Sequence, residues 1–134
     1  MTKFLTYTVG YPQSFMESCN TGWGCGYILI PKDSSLGMHY ADEQALYELP
    51  DEDGYAPKYY PQDMPHQECT YFESITVGIK HYCVAGFDTA HSHNGPEDDL
   101  NFILANLMDI VSAYEQLDEH LQRRDERNQA SIED

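Results

Sequence analysis

Residues 69–87 read CTYFESITVGIKHYCVAGF. Cys69 to Val77 and Lys80 to Phe87 are both rich in β-branched and aromatic residues, a composition typical of strands. Gly78 separates the two runs and favours a turn between them. The stretch therefore predicts an antiparallel β-hairpin.

Two further strands are predicted in the first quarter of the chain. Phe4 to Val9 alternates in the manner of a strand and is closed by Gly10 and Pro12. A glycine-rich segment leads into Tyr27 to Ile30, a short apolar run that ends at Pro31 and indicates a buried strand. With the hairpin, the sheet has about four strands.

Residues 32–66 mix prolines, glycines, acids and tyrosines without clear periodicity. They are predicted to form a long ordered loop or insertion. Ala41 to Leu49 is the part of it that could form a short helix, because two acidic residues stand near its N-terminal end.

The chain after residue 95 predicts one long helix, capped by Asn94 or Gly95 and with Pro96 in its first turn. Apolar residues recur there at intervals of four and three, which places them on one face of a helix. The fold class is therefore α+β, an antiparallel sheet of about four strands with one long C-terminal helix packed on a face. The stripe consists of Ile103, Leu107, Ile110, Tyr114, Leu117 and Leu121.

The end of this helix leaves a second interpretation open. Leu117 and Leu121 could extend beyond a small sheet, which would favour a homodimer through the C-terminal helix. From Arg123 onward the chain is polar and is expected to fray. The predicted organisation is a single α+β domain over residues 1–122, followed by a polar tail over 123–134.

The charge of the chain is strongly acidic and unevenly distributed. The 134 residues carry 23 acidic and seven basic side chains, a formal net charge of −16. Residues 42–68 hold eight acids and one lysine, and residues 96–134 hold eleven acids and three arginines. Such a charge repels nucleic acid and anionic membranes and attracts basic surfaces. We therefore expect neither direct nucleic-acid binding nor membrane binding.

The N-terminus and the cysteines bear on location. Met1 to Phe4 is not followed by a long apolar stretch, so no signal peptide is predicted. No apolar run approaches the ~18–20 residues of a membrane span. A cytoplasmic protein is expected, in the host cytoplasm if phage-encoded, with its four cysteines reduced.

A histidine and aspartate cluster is the candidate for chemistry. An apolar strand ends at Asp88 and His91 follows in the next turn, while His66 stands before the strand that pairs with it. Across an antiparallel hairpin these three side chains could meet as bases, acids or metal ligands. The structural interpretation is a turn network in which Asp88 accepts backbone N–H bonds. Neither metal nor cofactor is expected, because the chain has no paired C-x-x-C and no P-loop.

The glycines at 22–26 allow one further hypothesis. Together with the loop after Asp88 they could line a pocket for a small signalling nucleotide, although the deficit of lysine and arginine argues against an anionic ligand. Trp23, which stands among these glycines, is interpreted as a core or loop anchor rather than a binding platform.

Three segments in order resemble a family of small proteins in phages and other mobile elements. These segments are Gly26 to Pro31, His66 with Thr70 and Tyr71, and Gly86 to His91. They are similar to the family patterns G-Y-[VI]-x-[VI]-P, H-G-G-x-T-Y and G-F-D-x-A-H, although glutamine and glutamate replace the two glycines of the second. The resemblance implies a mobile-element origin and a sheet-plus-helix fold, and it implies no reaction.

Two functions of different classes follow. The first is an acidic phage-type inhibitor, anti-CRISPR or anti-restriction-like, that engages a basic, nucleic-acid-binding surface of a host or defence protein, with nucleic-acid mimicry as one mode. Acids interleaved with tyrosines would supply charge and rigid contact area. The alternative is a small enzyme or metal-binding module that uses the cluster above, and an acidic surface that only confers solubility stays open too. The predicted partner-binding residues are Asp42, Glu43, Tyr47, Glu48, Asp51, Glu52, Asp53, Tyr55, Tyr59 and Tyr60.

Overall fold

The computed structural model describes residues 3–40, 63–64, 67–68, 71–90 and 94–133. Two layers are formed by these residues, a sheet and a long helix packed across it. The strands are β1 (Leu5–Gly10), β2 (Gly24–Pro31), β3 (Asp63–Met64), β4 (Gln67–Glu68), β5 (Tyr71–Val77) and β6 (Lys80–Asp88). The helices are α1 (Gln13–Cys19), α2 (Ser35–Tyr40) and α3 (Leu100–Glu133).

The main sheet has four antiparallel strands in the order β1-β2-β6-β5, which confirms the predicted α+β class. The predicted hairpin is β5 and β6, with Ile75 opposite Tyr82. Gly78 turns the chain with a φ of +64°, a left-handed conformation that favours glycine. The predicted strand at 27–30 is longer than expected, since β2 begins at Gly24.

The core lies between the sheet and α3. Strand residues Ile28, Ile30, Ala85 and Phe87 face the helix, because alternate residues of a strand point to the same side. Every member of the predicted helix stripe is buried, and Leu36 of α2 joins the same core. Burial of this stripe is the main stabilisation of the helix, since most helical stability in proteins comes from packing of an apolar face.

Helix α3 starts later and ends later than the sequence predicts. Residues 95–98 form a turn closed by the bond from Asp98 N to Gly95 O, and Asp99 Oδ1 accepts the Phe102 N–H at 2.9 Å. Asp99 is therefore the N-terminal cap, and the expected cap at Asn94 or Gly95 is wrong. The helix continues to Glu133, 34 residues and about 51 Å long. The predicted domain boundary at residue 122 stays a prediction.

Leu117 and Leu121 do not project from the molecule. They are 3% and 2% exposed and belong to the core beside α2. A homodimer was predicted because these two leucines could extend beyond the sheet. The structure removes that reason, since both leucines are buried within the chain. The homodimer itself stays a prediction.

Helix α2 falls in the region that was predicted to be loop. Ser34 caps it, since Ser34 Oγ accepts the Gly37 N–H at 2.9 Å, and Asp118 Oδ1 of α3 accepts the Leu36 N–H at 2.8 Å. Only glycine fits at position 37, because a Cβ there would overlap the carbonyl oxygen of Pro31. Sequence periodicity missed this helix because six residues are too few to show one. The predicted helix at 41–49 lies outside the described residues.

Candidate functional site

Most predicted site residues lie outside the described part of the chain. This applies to all ten partner-binding residues between positions 42 and 60, and to His66 and His91. Asp88 is the one member of the predicted cluster that is described. The proximity of the two histidines to Asp88 therefore stays a prediction.

Asp88 ends strand β6 and lies opposite Cys25 of β2. Its Oδ1 accepts the Ala90 N–H at 3.3 Å, which is the turn contact that the structural interpretation predicts. Within the described residues, no group of three or more histidine, cysteine, aspartate or glutamate side chains could hold a metal ion.

Thr89 ties the end of β6 to the start of β2, and sequence reasoning missed it. Its side chain is fully buried, and its Oγ1 donates to Gly24 O at 2.7 Å and accepts from Gly24 N at 3.1 Å. Its carbonyl oxygen accepts the Gly22 N–H at 2.8 Å. The sequence signal that could have revealed these bonds is a threonine directly after a strand, together with a glycine-rich segment opposite it.

Trp23 connects three elements at the same end of the sheet. Its backbone N–H donates to Asp98 O at 2.8 Å, and its carbonyl oxygen accepts the Tyr11 N–H at 2.8 Å. The indole is half-buried and packs against the core. These contacts are those of a loop anchor, as the sequence predicts.

Tyr11 and Cys25 form a polar pair beside Asp88. The Cys25 thiol donates to Tyr11 Oη at 3.5 Å. The pKa of Tyr11 is raised above its ordinary value, first by burial, then by its interaction with Cys25 and by the charge of Asp88. The raised pKa keeps the Tyr11 hydroxyl protonated at neutral pH.

The raised pKa of Tyr11 predicts a loss of stability in alkali. The unfolded tyrosine ionises near pH ~10, whereas the folded one ionises at a higher pH. The contribution of Tyr11 to the free energy of unfolding is therefore constant below about pH 10 and falls as the pH rises above that value, because there only the unfolded state loses the proton. Urea midpoints measured from about pH 8 to 12 should fall less steeply for Tyr11→Phe than for the wild type. Equal slopes would contradict the assignment.

Five described acidic residues belong to the elements that meet where β2 begins and β6 ends, and we call this region the acidic end. The bond from Trp23 to Asp98 brings the start of α3 there, and the bond from Gly22 to Thr89 brings the end of α1 there. No lysine or arginine of the described chain lies in this region. Its members are Glu17, Asp88, Glu97, Asp98 and Asp99.

The opposite end of the sheet holds the three described lysines. Lys3 precedes β1, Lys32 follows β2 and Lys80 opens β6, and the strand register brings these three points together. A groove of about 590 Å³ lies among them, and we call it the lysine groove. Its lining is Lys3, Leu5, Pro31, Lys32, Asp33, Ile79, Lys80, His81 and Tyr82.

Helix α3 carries the remaining described basic residues beyond the same end. It starts near Trp23 at the acidic end, and its Glu115 Oε1 accepts the Phe4 N–H next to Lys3. Arg123, Arg124 and Arg127 follow the last buried leucine, and Arg123 pairs with Glu119 at 2.7 Å. Among the described residues, charge is therefore segregated along the strands, with acids but no lysine or arginine at one end and both signs at the other.

Within the described residues, no helix is both long enough and apolar enough to cross a bilayer.

The chain matches no protein-family model, no curated protein and no solved structure in the comparisons made with them.

Proposed function

We propose that this chain is an acidic binding protein that occupies a basic, nucleic-acid-binding surface of another protein. The observation that carries the proposal is the acidic end, where the elements that meet carry five described acids and no described lysine or arginine. A surface of one sign attracts an oppositely charged partner over a distance and orients it before contact.

Two carboxylates of the acidic end are held in place. Asp98 Oδ2 accepts bonds from Asn94 Nδ2 at 2.8 Å and from Gly95 N at 3.2 Å, and Asp99 caps α3. Groups that are already fixed lose little conformational entropy when a partner binds. Fixed carboxylates can therefore replace the phosphates of a nucleic acid more effectively than mobile ones.

The acidic segment 42–68 extends the proposal. It carries a net charge of −7, and its tyrosines at positions 47, 55, 59 and 60 supply large contact area. An anti-CRISPR or anti-restriction-like inhibitor from a phage is the biological role that we propose, with a host or defence protein as the partner. We place it in the cytoplasm, where such partners bind nucleic acid.

Capture followed by competition tests the proposal. Host proteins bound to the immobilised chain at about 50 mM salt should be released by short duplex DNA at unchanged ionic strength. The variant Glu17→Gln/Glu97→Gln should retain less of the same proteins, because it removes two charges from the acidic end. Both side chains are exposed, so the fold should not change.

A matched variant controls for net charge. Asp33→Asn/Glu126→Gln removes the same number of charges outside the acidic end and should retain the captured proteins. Captured proteins that duplex DNA fails to release, or equal retention by both variants, would contradict the proposal.

A further inference from the structure

We propose that the lysine groove binds a small phosphate-bearing anion that carries an apolar group. Three of the four lysines of the chain line this one groove, although the net charge is −16. Ammonium groups of like charge repel one another, so their convergence favours a site that an anion completes. Sequence reasoning missed the site because its residues are far apart in the chain.

The backbone at each lysine is anchored independently. Lys32 N donates to His81 O at 3.0 Å, which joins two walls of the groove. Lys80 pairs with Val77 across the hairpin. Lys3 precedes Phe4, which is buried in the core and donates its N–H to Glu115. The groove is therefore built on fixed backbone, which is how a pre-formed binding site is made.

Charge balance indicates a ligand with at least two negative charges. The described lining carries three lysines and one carboxylate, Asp33, so the formal net charge of these four side chains is +2. A single carboxylate ligand would leave positive charge uncompensated. A phosphate ester or a diphosphate would neutralise it, and lysine is a common partner of phosphate oxygens.

His81 adds a polar group to this site. Its Nδ1 lies 2.9 Å from Thr76 Oγ1. When the threonine donates, Nε2 carries the ring proton and is the nitrogen that can donate to a ligand oxygen.

The apolar part of the lining indicates that the ligand is not a bare inorganic ion. Ile79 is 93% exposed at the tip of the hairpin and Leu5 is 58% exposed, and both line the groove beside Pro31. Covering exposed apolar side chains of this kind with an apolar group lowers the free energy. A volume of about 590 Å³ is also that of a small-molecule site.

The global charge does not prevent such binding. Interactions between exposed charges are largely screened beyond about 8 Å at physiological ionic strength. The acidic end lies at the far end of the strands, so the nearest lysines dominate the potential in the groove. Binding should accordingly weaken as salt is added.

Calorimetric titration with three probes tests the inference and separates the ligand sources. Inorganic pyrophosphate carries charge alone, ADP adds an aromatic group and geranyl diphosphate adds an aliphatic group. We expect ADP or geranyl diphosphate to bind more tightly than pyrophosphate. The variant Lys32→Gln/Lys80→Gln should weaken binding about tenfold or more for each lysine removed.

The control is Arg123→Gln/Arg127→Gln, which removes two positive charges from residues that do not line the groove. It should bind the probes within about twofold of the wild type. Circular dichroism spectra of both variants should match that of the wild type, which checks that both are folded. Absence of binding by all three probes, or equal weakening in the two variants, would overturn the inference.

Discussion

Thr89→Val should lower the free energy of unfolding by about 3 kcal/mol. Valine keeps the size and branching of threonine but lacks Oγ1, which both donates to Gly24 O and accepts from Gly24 N. The Gly24 N–H would then be buried without a partner, and a buried donor left unpaired is costly. In a domain of this size the melting temperature should fall by roughly 10 °C.

Thr89→Ser is the matched control for this experiment. Serine keeps the hydroxyl and loses one buried methyl group, which costs about 1 kcal/mol. Urea unfolding of the two variants separates hydrogen bonding from packing. If the serine and valine variants lowered the free energy of unfolding equally, the two hydrogen bonds between Thr89 and Gly24 would not be what holds β6 to β2.

Asp118→Ala should cost a similar amount, about 3 kcal/mol, for two reasons. Asp118 is 1% exposed and its Oδ1 accepts the Leu36 N–H, so alanine leaves that donor without its partner and opens a cavity between α2 and α3. Asp118 Oδ2 has no hydrogen-bond partner within the described residues. Within the described part of the chain, the carboxyl group therefore makes one hydrogen bond.

Asp118→Asn separates the bond from the charge. The amide oxygen can still accept the Leu36 N–H. Its nitrogen takes the place of an oxygen that makes no bond to the described residues, so one unpaired buried polar atom replaces another. We expect a change of about 1 kcal/mol or less, measured by urea unfolding. A loss as large as that of the alanine variant would show that the second oxygen contributes to the fold.

The architecture could be predicted from sequence wherever a repeating pattern spans several turns or a whole strand. The helix stripe from Ile103 to Leu121 and the hairpin around Gly78 are of this kind, and both are confirmed. The start of α3 was predicted at the wrong residue. Asn94, Gly95 and Asp99 are all residue types that commonly cap a helix, so residue type alone does not distinguish between them. The short helix α2 depends on Asp118, which is 82 positions from Leu36.

The charge segregation could not be predicted from local composition. Lys3, Lys32 and Lys80 fall in stretches that look nearly neutral, and only the strand register places them at one end. Counting charges along the chain predicted acidic blocks and missed the groove. The predicted cluster of His66, Asp88 and His91 has one described member, so its chemistry stays a prediction.

The resemblance to a mobile-element family also stays a prediction. Its third segment contains Asp88 and Thr89, which hold the turn after β6 and the start of β2. Its first segment forms most of β2. These residues shape the end of the sheet at which we place the partner surface.

The proposed function can be tested by the rate of association with a captured and purified partner. Stopped-flow measurements at low salt should compare Asp51→Asn/Glu52→Gln/Asp53→Asn with a control that removes three charges elsewhere, Asp33→Asn/Asp125→Asn/Glu126→Gln. We expect the first variant to associate about tenfold or more slowly and the control to stay within about twofold of the wild type. Equal rate constants for the two variants would contradict recognition through the acidic segment 42–68.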